Sequence, residues 1–490
     1  VIDTRTLLAL PVDGRPAVRS QPMALARCAG WALRMPEVAA LGHFRSPADT
    51  AALAEWLLRE GESAAGFVLS LDMLVYGGLV PSRFVPESLP VLLQRLAVLD
   101  ELKKRWPGKP IWAFASTMRI SNNDIAEEEK PYWAQHGRDL WAWSFHGDRA
   151  EHHPDSGARE SSRRLADAAA ARVPLAIQHD YRATRARNVA VTHAALERVA
   201  SGAIERLVLP QDDTAEYGFN IAERRAWQRW TSDHGLASRV PIYAGADEAM
   251  HTLVARAVTT LEGRPPLKLA LAASDPEHLD DLTALYEDRP LRAALAAQAE
   301  AVGAVWVGDD ESADAQADVL VALHTQGAAQ GDWAMGKPLP QRVPVEAGWF
   351  ERIGRWQAAG RPVVLVDAAY ANGGDPWLLA HPALVPKRLA AYSAWNTASN
   401  RLGSAFATAQ LAHGAWGSEA AREALALRLL EDGLYQGQLR ALLRGTVDAA
   451  RTDKAELLAM ARHLLLPPLN AWSRARGLGF VVDDLDLPWQ

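Results

Sequence analysis

Residues 207–213 read Leu-Val-Leu-Pro-Gln-Asp-Asp, an apolar run that ends in two adjacent carboxylates. Three consecutive aliphatic residues without polar alternation mark a strand buried on both faces. Such strands occur where helices cover both sides of a parallel sheet. The same design recurs at 7–13 (LLALPVD), 67–72 (FVLSLD), 111–117 (IWAFAST) and 241–248 (PIYAGADE). The stretches between them, such as 88–106 and 223–235, carry a helical period. This alternation predicts an α/β fold of mainly parallel strands flanked by helices.

A break falls at Gly263-Arg264-Pro265-Pro266, after which the pattern restarts. Strands are expected at 267–274, 304–309, 317–325, 362–370 and 389–395, with helices at 290–303 and 349–360. From about residue 398 the chain reads as helical. The expected organisation is an N-terminal α/β domain over 1–265, a second Rossmann-like α/β domain over 266–415 and a helical region over 416–490. The polar stretch 146–165 reads as an exposed excursion. A distorted (β/α)8 barrel is the alternative architecture. Both arrangements place their sites at the carboxyl ends of parallel strands, so the expectation for the site is common to them.

At 490 residues the chain exceeds what one core ordinarily organises, hence the division into domains. Its net charge of −7 argues against a nucleic-acid partner, which calls for a basic face. No apolar run reaches the length of a membrane span. The single cysteine, Cys28, allows no intrachain disulfide and sits in the apolar stretch MALARCAGWAL as a core residue. The chain begins with Val, which reads as a processed or trimmed N-terminus and leaves cytoplasmic and exported locations both open. Its 18 tryptophans equal the 9 Phe and 9 Tyr together; core packing accounts for them first, flat faces for sugar rings second. The oligomeric state is not legible.

The strand ends carry the chemistry. They supply Asp13 and Arg15, Asp72 and Arg83, Arg119, Asp212 and Asp213, and Asp247 and Glu248. The second half supplies Asp367, Asn372 and Asp375, then Trp395 and Asn396. Parallel strands put their carboxyl ends on one edge, so these groups are expected to converge. Any one acid there is equally an N-cap. The set as a whole, with Tyr76-Gly77-Gly78 and Asn372-Gly373-Gly374-Asp375, exceeds what capping needs.

Paired carboxyls suit glycoside hydrolysis, in which one donates a proton to the leaving oxygen and the other stabilises or attacks the sugar carbon. The expectation is a hydrolase of this kind on a small-molecule or carbohydrate substrate, with N-acetylated amino sugars the first to try. Glu248 is expected as general acid, with Asp247 or Asp213 as its carboxylate partner. Asp13, Arg15, Asp72, Arg83, Arg119, Asp212, Asp367, Asn372, Asp375, Trp395 and Asn396 are expected to hold substrate. The Asp-Glu of AGADE also resembles the strand-end pair of hexosaminidases that use the substrate's acetamido group, where the Glu is the acid and the Asp orients the acetamido nitrogen.

Two other classes remain. A metal-dependent hydrolase of another bond would draw on the acids with His324 or His251, whereas His146, His152 and His153 read as surface residues. No HExxH, paired cysteines, GxGxxG or phosphate loop is present, so neither a metal nor a nucleotide cofactor is expected. A non-catalytic protein closing around a carbohydrate or small molecule is the other class.

Together LPVDGRP, SLDMLVYGGLVPSR, MRIS, QDDTAEYG, GADE, YANGGD and AYSAWNTASNRLG resemble the bacterial domain-of-unknown-function family 4127, in the same order from about residue 7 to 405. The resemblance implies that these strand-end motifs belong together. It implies little about activity. The first motif carries Gly14 where the family usually has an acid, which counts against a direct chemical role for that position.

Overall fold

The computed structural model describes residues 5–447 and 452–487. Each apolar run named above forms a strand. In the first sheet these are β1 (Thr6–Leu10), β2 (Ala32–Arg34), β3 (Gly66–Ser70), β4 (Ile111–Phe114), β5 (Arg206–Gln211) and β6 (Ile242–Ala244). They pair in parallel in the order β2-β1-β3-β4-β5-β6. Every residue of β1, β3, β4 and β5 is buried, as unbroken apolar runs covered on both faces must be. The short edge strand β2 alternates exposed and buried residues.

The second sheet contains β7 (Lys268–Ala273), β8 (Val305–Gly308), β9 (Val319–His324), β11 (Val363–Asp367) and β13 (Ala391–Ser393). Two short strands, β10 (Gly331–Asp332) and β12 (Tyr370–Ala371), pair separately. The main sheet is also all parallel, in the order β13-β11-β9-β7-β8. Counted within their own units, both sheets follow the order 2-1-3-4-5 of a doubly wound fold, the first with a sixth strand added. The barrel alternative is thus corrected: the strands form two open sheets.

The chain divides into two compact units. The first comprises residues up to Arg19, Ala32–Met250 and Tyr286–Asp288. The second comprises Ser20–Trp31, His251–Leu285 and the residues from Arg289 onward. The expected break near 265 therefore lies inside the second unit, which also contains the C-terminal helices rather than leaving them separate. Helix Ser20–Cys28 belongs there because it packs against helices Ala398–Ala412 and Glu419–Arg428.

The polar stretch 146–165 is not an excursion. It lies in helices Trp133–His152 and Ser156–Arg172, which pack on each other. The latter buries only Ser162, Ala166 and Ala169, so its apolar period is faint in the sequence. Cys28 is buried, as expected, and burial pushes its thiol up to about 11. Trp112 and Trp133 are among the largest fully buried side chains, in keeping with core packing. Among the described residues, no helix is long and apolar enough to cross a membrane.

Candidate active site

At the carboxyl edge of the first sheet, the turn after β1 folds Asp13 back to accept the Arg15 backbone N–H at 2.8 Å. The Arg15 side chain then spans two acids. Its Nε donates to Asp13 at 2.9 and 3.0 Å. Its Nη1 and Nη2 donate to Asp247 at 3.0 and 2.6 Å. This fork geometry is the strong form of an arginine–carboxylate pair.

The adjacent acids after β5 part company. Asp212 accepts from Arg83 Nη2 at 3.0 Å and Asp213 from Arg119 Nη1 at 3.1 Å. Neither caps the next helix, Phe219–Asp233, whose N-cap is Gly218. The N–H groups of Gly218 and Phe219 go instead to Asp148 and Ser144 of helix Trp133–His152. Asp213 has φ +35°, a left-handed conformation that an aspartate adopts at some cost.

Two residues missed in the sequence complete the cluster. Glu129 Oε1 accepts from both Arg83 Nη1 and Arg119 Nε, each at 3.0 Å. Glu128 Oε2 likewise lies 3.2 Å from Arg83 Nη1 and 2.9 Å from Arg119 Nη2. Both glutamates come from the irregular segment between β4 and helix Trp133–His152. The run Glu127-Glu128-Glu129 soon after a strand-end motif was the available signal.

Burial, reinforced by repulsion from Asp213, pushes Asp212 up to about 7 against the pull of Arg119 and Arg83. Burial also raises Asp213, with Arg119 opposing it. Burial likewise acts upward on Glu128, but Arg119, Arg83 and Arg15 outweigh it and hold that carboxyl below its ordinary range. Asp212 and Asp213 retain side-chain exposures of 16% and 26%, so both can be reached from solvent.

Glu248 and Asp72 lie deeper. Glu248 is only 1% exposed, and a Cβ built on Gly245 would stand 2.6 Å from its Oε1. Glu248 is thus more enclosed than Asp212 and Asp213. Asp72 is buried and accepts the Ser116 N–H at 2.9 Å; burial pushes it up to about 6. This bond ties the first turn of helix Leu71–Tyr76 to the backbone just after β4. In Tyr76-Gly77-Gly78, Gly77 is the left-handed cap of helix Leu71–Tyr76, so capping does explain that glycine.

The second-half residues lie on the other sheet, so the sequence-expected set divides between two sheets rather than lining one. Asp375 caps helix Pro376–Ala380 through the Trp377 N–H and pairs with Arg342 at 2.7 and 2.8 Å. Its Oδ2 lies 3.1 Å from His324 Nε2, while His324 Nδ1 lies 3.1 Å from Ser274 Oγ. The order matches a nucleophile–base–acid row, but all three residues are buried, and Ser274 Oγ is also bonded to the N–H and carbonyl of Thr325. The row ties strand ends together. Burial acts to raise Asp375, yet hydrogen bonds from Arg342 and His324 outweigh it and hold the carboxyl at about 2. Asp367 is fully buried, accepts the Asp375 N–H at 2.6 Å and is raised by burial. Asn372 donates to Asp332 at 3.0 Å. The Trp395 N–H reaches Asp432 at 3.3 Å, and the Asn396 carbonyl accepts from the Asn372 N–H at 3.0 Å.

The glycines of Asn372-Gly373-Gly374-Asp375 serve packing. A Cβ on Gly373, at φ +150°, would meet the Gly437 backbone N at 2.8 Å, and one on Gly374 would stand 2.1 Å from Tyr392 Oη. Gly437 belongs to a π-helical run, Leu429–Leu439. The close approach at Gly373 is therefore made to a helix.

His251 Nδ1 lies 2.7 Å from Ser404 Oγ, and His152 pairs with Asp148 at 3.2 Å. Among the described residues, no group of three or more His, Cys, Asp or Glu is arranged to hold a metal ion.

A search of curated proteins and of solved structures finds no match to the chain. A family model described as "Protein of unknown function (DUF4127)" matches residues 7–476, a span that includes every strand-end group described above. The chain therefore belongs to the DUF4127 family.

Proposed function

We propose that the charged edge of the first sheet is the active site of a hydrolase that cleaves a glycosidic bond with the pair Asp212 and Asp213. The observation that carries this reading is the split environment of two adjacent carboxyls. Asp212 is the more enclosed and is pushed up to about 7, so it holds a proton near neutral pH. Asp213 is the more exposed and sits against Arg119. Asp212 would donate its proton to the leaving oxygen while Asp213, as carboxylate, stabilises charge developing on the sugar. Adjacency also suits substrate-assisted hydrolysis, in which the second carboxylate orients an acetamido group instead of attacking carbon. This supports N-acetylated amino sugars as the first substrates to try.

The arginines are less available to substrate than the sequence suggested, since Arg15, Arg83 and Arg119 all bind carboxylates of the site itself. Acids outnumber them: Asp13, Glu128, Glu129, Asp212, Asp213 and Asp247 gather around three guanidiniums. That excess of negative charge keeps a metal-dependent hydrolase as the second reading, although among the described residues these acids are not arranged to hold an ion.

The test is a panel of chromogenic glycosides weighted toward N-acetylhexosaminides, run with and without a chelator. Asp212→Asn should lose at least about a hundredfold in turnover, the usual reach of a general acid, and Glu248→Gln should lose far less. Loss of turnover with chelator would move the assignment to a metal site. Thermal stabilisation by sugars without turnover of any would favour a binding protein.

A further inference from the structure

The two aspartates each touch an arginine, yet both are raised. Burial is the largest cause, and the arrangement behind the arginines bears on how far they offset it. Arg83 and Arg119 are bridged twice, once by Glu129 Oε1 and once by Glu128 Oε2. Two cations and two anions thus form a closed, formally neutral plate. Arg83 and Glu129 are its buried half, 1% and 3% exposed at their side chains; Arg119 and Glu128 are its outer half, 18% and 25%. Each guanidinium sends one further N–H forward, Arg83 to Asp212 and Arg119 to Asp213.

We infer that Glu129 is a positioning residue: by pinning and neutralising Arg83 and Arg119 together, it fixes where the guanidiniums sit against Asp212 and Asp213 and how much of their charge the aspartates feel. Glu128 does the same from the solvent side. An opposite charge close to a carboxyl normally favours its ionised form, and that effect weakens when the cation is itself paired. Asp213 and Asp247 also act on Asp212, and Glu128 and Asp247 on Asp213. All are acids that oppose ionisation. With the plate neutral, burial and these acids prevail. Without Glu129, two under-neutralised guanidiniums would face the pair.

This inference rests on reading Asp212 and Asp213 as the working pair, but its measurement needs no turnover. Infrared difference spectra between pH values, on protein labelled with carboxyl-¹³C aspartate, would follow the pair; the Asp212→Asn spectrum identifies the Asp212 band. In Glu129→Gln the titration should move down by about one pH unit or more, because a negative charge has been removed. Glu129→Asp keeps the charge and should restore the titration most of the way. A merely structural role would disorder the segment without this direction or this rescue. An unchanged or upward-shifted titration in folded Glu129→Gln would overturn the inference. Should that variant not fold, Glu128→Gln, on the exposed half of the plate, carries the same test with the same expected direction. Absence of turnover on every glycoside, with the shift observed, would count against the hydrolase reading alone.

Discussion

Arg15 donates from both terminal nitrogens to the carboxylate of Asp247, 232 positions later, at 3.0 and 2.6 Å. Through this pair the turn after β1 is tied to the loop after β6, two strands far apart in the same sheet. The pair is mostly enclosed, with side-chain exposures of 16% and 9%. Removing Arg15 takes from Asp247 and Asp13 the guanidinium they share. Arg15→Ala should therefore destabilise the protein by about 3 kcal/mol, whereas Arg15→Ala combined with Asp247→Ala should cost less than the sum of the two single changes. Urea unfolding of the four proteins measures both.

Asp212 has a pH signature. Its carboxyl is raised from 3.8 to about 7, so the folded state holds this proton more tightly than the unfolded chain does. The fold consequently loses stability as pH rises from about 4 through about 7. Asp212→Asn removes that loss and should be more stable than wild type at pH 8, by about 1–2 kcal/mol after allowing for screening at a partly exposed site. At pH 4 the difference should shrink. Denaturant titrations at the two pH values show whether the sign is right. Turnover, if Asp212 is the acid, should fall over the same range as its proton is lost.

Asp375 works in the opposite sense. Held at about 2 against an ordinary 3.8, it contributes stability above its unfolded value that is lost as pH falls toward 2. The contribution at neutral pH is about 2 kcal/mol. Arg342 is 42% exposed, which screens its part of this. Arg342→Ala should cost about 1 kcal/mol or less at pH 7 and move acid unfolding to higher pH. Circular dichroism followed from pH 7 to 2 reads that midpoint.

Gly373 allows a sharper contrast. Alanine there combines a positive φ with a contact of 2.8 Å to backbone that cannot swing aside. Gly414 also has positive φ, +83°, but nothing lies within 4 Å of an added Cβ. Gly414→Ala should cost about 1 kcal/mol from backbone strain, and Gly373→Ala well over 2 kcal/mol. Thermal unfolding of the two variants compares them directly.

The strands were readable because burial on both faces leaves an unbroken apolar signature. β2 escaped notice because three residues with one buried side chain have no period. Strand ends were likewise readable, and with them Arg15, Arg83, Arg119, Asp212, Asp213 and Asp247. Glu128 and Glu129 were not, since they reach the site from an irregular segment whose path no local pattern dictates. Nor could strand-end position separate acids that face solvent, such as Asp213, from those consumed by internal hydrogen bonds, such as Asp367 and Asp375. That distinction depends on partners such as His324 and Tyr392, distant in sequence.

The short segment Tyr286–Asp288 belongs to the first unit although the second unit's first strand precedes it. The Tyr286 carbonyl accepts the Thr214 N–H at 3.2 Å, next to the aspartate pair, and Asp288 pairs with Arg224. During synthesis, the loop bearing Asp212 and Asp213 must wait for residue 288 before these partners exist. At ribosomal speeds of about 5–20 residues per second, the interval after β6 lasts several seconds. A chain cut at the Gly263–Pro266 break would keep all six strands of the first sheet and still lack the anchor beside its aspartates.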